Sequence, residues 1–105
     1  LFFLLLRRPP PSPLLPSTTR LRSAVCDREL LNTTVSHEKL SITISEWFYG
    51  NTPVTEAEVK EALKYAGNIN LIGERSVNLA VELGLIEKSD CMMIGKVPHA
   101  QIYRL

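Results

Sequence analysis

The stretch from Asn68 to Leu85 constrains the fold more than any other part of the chain. It reads as a buried turn feeding a helix that closes on Gly84. Val77, Ala80 and Val81 form one apolar side of that helix, and Leu79 and Leu83 form another. Only Arg75, Asn78 and Glu82 are left for water, and a helix apolar over so much of its circumference is packed on more than one side. Polar Asn68, Asn70, Glu74 and Arg75 crowd its N-terminal end.

The helix before it carries clear boundary signals. Thr55 is placed to cap it, with Glu58 three residues on completing a capping box, and Val54 and Val59 stand where a hydrophobic staple needs them. Val59, Ala62, Leu63 and Ala66 fall on one stripe at helical spacing, with Lys60, Glu61 and Lys64 off it. Strand patterns flank the two helices. Arg22–Cys26 reads as a strand ended by Asp27, which is placed to cap a short helical turn over Arg28–Leu31. Asn32–Thr34 reads as a loop. Leu40, Ile42 and Ile44 alternate with Ser41, Thr43 and Ser45, the period of a half-buried strand. Trp47, Phe48 and Tyr49 follow; exposed on a sheet they could stack bases, with at most Trp47 and Tyr49 on one face and Phe48 inward, and otherwise they pack in the core or under a helix. Met92–Ile94 and Ala100–Arg104 read as a closing hairpin around Gly95–Pro98. The order implies an α+β fold, a small, mostly antiparallel sheet with two helices packed on one face.

Residues 1–20 differ from the rest. An apolar run at Leu1–Leu6 is far too short to span a membrane. Five prolines between Pro9 and Pro16 forbid a helix. The expected organisation is a Pro-rich leader over 1–20, disordered or foreign to the domain, and a single domain over 21–105. The charge divides in the same way. Residues 1–22 hold Arg7, Arg8, Arg20 and Arg22 and no acid, whereas residues 23–105 hold the other 8 bases and all 11 acids, a balance of −3. A mildly acidic body argues against a broad basic nucleic-acid face.

The chemistry-bearing residues are few. Cys26 and Cys91 form no CxxC pair, His37 and His99 are the only histidines, and metal-ligand spacing is absent. No motif calls for a cofactor: neither GxGxxG nor GxxxxGK[ST] occurs. The start of the helix near Glu74 offers free backbone N–H groups to an anion, helped by Arg75 and Asn70, although Glu74 already answers the dipole. His99, beside Pro98, is a hydrogen-bonding residue unless it meets Cys26 and Asp27, where a thiol, an imidazole and a carboxylate would suffice for nucleophilic catalysis.

Five segments together resemble a known family: Val25-Cys26-Asp27-Arg28-Glu29-Leu30-Leu31, Phe48-Tyr49-Gly50, Asn70-Leu71-Ile72-Gly73-Glu74-Arg75-Ser76-Val77, Gly84-Leu85-Ile86 and Val97-Pro98-His99-Ala100-Gln101-Ile102. They look like the archaeal "domain of unknown function 424" family, over Ala24 to Arg104. The resemblance implies a small cytoplasmic protein, with no activity to carry over, in a translation or RNA-processing setting. It also implies a short first strand leading directly into the Cys-Asp box, where this chain has its Pro-rich segment. The boxes make Cys26, Asp27, Asn70, Glu74, Arg75, His99 and Gln101 candidates for one binding surface, centred on the start of the second helix and the Pro98–Gln101 turn. The leading expectation is a non-enzymatic binding protein serving RNA or a ribonucleoprotein, with no membrane association. The alternative is a small enzyme using Cys26 or His99, oriented by Asp27 or Glu74. A third reading is a subunit that docks through Trp47 and Tyr49.

Overall fold

A computed structural model describes residues 4–7, 22–65 and 67–103. Strands β1 (Leu4–Arg7), β2 (Arg22–Asp27), β5 (Pro53–Val54), β6 (Asn68–Ile72), β7 (Met92–Ile94) and β8 (Val97–Tyr103) form one sheet in the order β5-β1-β2-β6-β8-β7. All neighbours are antiparallel except β2 and β6, which run parallel at its centre. Strands β3 (Thr34–His37) and β4 (Leu40–Thr43) form a separate hairpin. The helices are α1 (Glu46–Tyr49), α2 (Glu56–Tyr65) and α3 (Glu74–Glu82). This is the expected α+β class, with a mostly antiparallel sheet.

Side-chain alternation divides the sheet into two faces. On one, Val25, Ile69, Leu71, Ala100 and Ile102 pack under Val59 and Leu63 of α2 and Val77, Leu79 and Ala80 of α3. Both long helices therefore lie on the same face, as the order of elements implied. On the other face, Ala24, Cys26 and Ile72 pack under Ile44 and Tyr49, with Leu30, Leu31 and Val35 alongside. This second cluster covers only part of that face.

The helix boundaries follow from local chemistry. The Thr55 hydroxyl accepts the Glu58 backbone N–H at 3.2 Å, which is the N-cap half of the expected box, and donates to the Glu58 carboxylate at 3.3 Å, which takes the hydroxyl in place of the Thr55 backbone N–H. Val54 and Val59 are both buried, as the staple requires; Ala66, last on the stripe, lies outside the described residues. Helix α3 ends in a Schellman turn. Leu85 N–H reaches Ala80 O and Gly84 N–H reaches Val81 O, both at 3.0 Å, with Gly84 at φ 73°.

Four expectations are corrected. Leu4–Arg7 of the expected leader belongs to the sheet, paired with β2 and β5; residues 1–3 and 8–20, the rest of that leader, lie outside the described residues. Asn68–Ile72 is a central strand and not a turn: Ile69 and Leu71 go to the helix face and Asn68 and Asn70 to the other, so tertiary packing overrides the poor strand propensity of asparagine. Thr34–His37, read partly as loop, pairs with β4. The aromatic triplet is one helical turn. The Ser45 hydroxyl accepts the Phe48 N–H at 3.3 Å, and the turn buries Tyr49 while leaving Trp47 82% exposed, so these two rings do not share a surface.

Gly73 joins β6 to α3 with φ 109°, and a Cβ there would stand 2.3 Å from Asp27 Cγ. Gly73→Ala therefore meets both backbone strain and a steric clash, and the expected loss is more than about 3 kcal/mol. Urea denaturation of Gly73→Ala, Asp27→Ala and the double variant measures it. The two losses should add to clearly less than their sum, because removing the carboxylate relieves the clash.

Candidate functional site

The seven residues singled out from the sequence are split between the two faces. Alternation along β2 sends Cys26 to one side and Asp27 to the other. Cys26, Asn70, His99 and Gln101 share the face away from the helices, because Cys26 aligns with Ile72, Ile72 with His99, and Asn70 with Gln101. Asp27, Glu74 and Arg75 gather at the start of α3.

Because β2 and β6 run parallel, Asp27 ends level with Gly73, where α3 begins. Its carboxylate is buried and accepts three hydrogen bonds: from the Arg75 backbone N–H at 3.0 Å, and from the Ser76 backbone N–H and hydroxyl at 2.8 Å each. The anion that this helix start favours is thus supplied by the chain itself. Asp27 caps α3 from a distant strand; no side-chain hydrogen bond from it caps the 3₁₀ turn over Arg28–Leu30. The Arg75 guanidinium pairs with Glu29, closing the same corner from outside. Glu74 is exposed.

On the other face two polar networks lie in adjacent rows. Tyr49 donates its hydroxyl to Asn70 Oδ1 at 2.9 Å, and His99 Nε2 meets the same oxygen at 3.1 Å. An amide oxygen only accepts, so neutral His99 carries its proton on Nε2 and keeps Nδ1 as an acceptor. Burial lowers the His99 pKa. Burial, with Cys26 adding to it, raises that of Tyr49. In the next rows, the Gln101 amide nitrogen donates to the Tyr103 hydroxyl at 2.6 Å and to Asn68 Oδ1 at 3.5 Å. Tyr103 is 60% exposed.

Cys26 and His99 stand two strands apart, roughly 10 Å at the backbone given strand spacings of about 4.8 Å. No hydrogen bond joins them among the described residues. Cys26 is fully buried, and its thiol is pushed up to about 12 by burial first and then by the Asp27 and Glu29 charges. Burial and the raised pKa both favour the neutral thiol, which packs as a small apolar group. Cys91 packs against the helix-side core, whereas Cys26 lies on the opposite face, so the two are not placed for a bridge. Among the described residues no three His, Cys, Asp or Glu side chains gather as a metal site needs.

Sequence reading missed Asn68 and Tyr103 as partners of Gln101, and Tyr49 as the partner of Asn70. The signal was present: Asn68-Ile69-Asn70-Leu71 and Ala100-Gln101-Ile102-Tyr103 both alternate, and antiparallel pairing of two alternating strands brings their polar positions onto one face.

A central parallel pair with an internally capped helix, set in an otherwise antiparallel sheet that is half open on its far face, defines a small α+β protein with one polar surface of its own. The chain belongs to the family described as "Protein of unknown function (DUF424)", whose model matches residues 17–105. No curated protein matches it. The crystal structure of an uncharacterized conserved protein from Methanopyrus kandleri is similar in fold, with a TM-score of 0.72 and 24% identity, over 97% of this chain and 94% of that one. No helix among the described residues is long and apolar enough to cross a membrane.

Two outcomes follow from the burial of these groups. Alkylation of the native protein at mildly alkaline pH should label Cys91 while Cys26 reacts only after unfolding, as read by mass spectrometry of the labelled peptides. For His99, the folded pKa lies below the unfolded value of about 6.5, so the unfolded chain binds the proton more readily. Its contribution to stability is whole above about pH 6.5 and declines as pH falls through that value towards the folded pKa. Urea midpoints taken from pH 8 down to pH 5, an interval of about three units around that value, should fall further for the wild type than for His99→Gln.

Proposed function

We propose that this protein is a non-enzymatic binding protein of the cytoplasm, acting in an RNA- or translation-associated setting through the open part of its sheet. The observation that carries the reading is the composition of that surface. Strands β6, β7 and β8 present Asn68, Asn70, His99, Gln101, Tyr103 and Met92 there, and no acid, in a body that is otherwise mildly acidic. Amides, an imidazole and an aromatic ring are groups that recognise unpaired bases by stacking and by hydrogen bonding to their edges. The start of α3 takes no part in this contact, because Asp27 already fills it.

Burial of Cys26 and engagement of Asp27 in a cap support binding rather than nucleophilic chemistry. Purification of the full chain from an archaeal lysate at low salt, with and without ribonuclease, tests the proposal. RNA should co-purify and be lost on ribonuclease treatment or as the salt is raised. Absence of RNA, or capture of proteins that ribonuclease does not disturb, would overturn it.

A further inference from the structure

We draw no further inference here: the strongest candidate, the exposed surface patch of Met92, Gln101 and Tyr103 on the open part of the sheet, carries nothing further because nothing in the structure shows what covers it.

Discussion

The Asp27 carboxylate on the first turn of α3 is the interaction around which the rest of the structure is arranged. It joins three elements distant in sequence: the end of β2, the end of β6 and the start of α3. A buried carboxylate is costly unless paired, and here two backbone N–H groups, a hydroxyl and the positive end of the helix dipole answer it. The arrangement is possible only because position 73 carries no Cβ. Asp27, Gly73 and Ser76 therefore act as a unit: the carboxylate needs the donors, the donors need a partner, and the close approach needs the glycine. The parallel pairing of β2 with β6 belongs to the same unit, since it brings Asp27 level with the helix start. Gly73 N–H also reaches Pro98 O at 2.9 Å, which extends the link to β8.

With that corner closed, the two faces of the sheet take different roles. The helix face holds the larger cluster, and the central strands contribute side chains with no exposed surface, Val25, Ile69 and Leu71. The other face is covered by α1 and the β3–β4 hairpin around Ile44 and Tyr49, and β3 also reaches β7 and the Gly95 turn. The Tyr49 hydroxyl marks the boundary: its ring packs with Ile44 and Cys26, and its oxygen reaches Asn70, which also receives His99. Apolar packing on one side of that phenol thus gives way to hydrogen-bonded polar rows on the other. A polar group at the rim of a core must be satisfied there, and Asn70 satisfies two at once.

How much of this could be read from the residues depended on the range of the interactions involved. Helix α2 was legible because its signals, Thr55, Glu58 and the Val59–Leu63 stripe, act within a few residues of one another. So was the closing turn at Gly84. The strand at Asn68–Ile72 was not, since asparagine favours turns locally and only the packing of Ile69 and Leu71 between β2 and β8 makes it a strand. The Trp47–Tyr49 triplet followed the Leu40–Ile44 alternation so closely that Ser45, the cap that turns it into a helix, passed as one more strand residue. Leu4–Arg7 was hidden by the prolines that follow it. For the site, Cys26 and Asp27 adjoin in sequence and were taken as a pair, yet in a strand adjacency means opposite faces.

The same alternation that separates those two residues assembles the surface on the far face. Asn68, Asn70, Gln101 and Tyr103 come from segments some thirty residues apart, and no local motif links them; two period-2 patterns in antiparallel register do. The face on which they meet carries the smaller cluster of Ala24, Cys26, Ile44, Tyr49 and Ile72, and these four residues lie outside it. Leaving a row of amides half-open beside an exposed ring gains little for folding, because hydrogen bonds between exposed groups compete with water at nearly equal strength. In the proposed binding role such an array would supply recognition, with the Gln101 amide held by Tyr103 and Asn68. Strand β6 joins the two faces, with Ile69 and Leu71 in the helix-side core and Asn68 and Asn70 opposite Tyr103 and Gln101, and the Asp27 cap on the α3 start closes the corner where that strand ends.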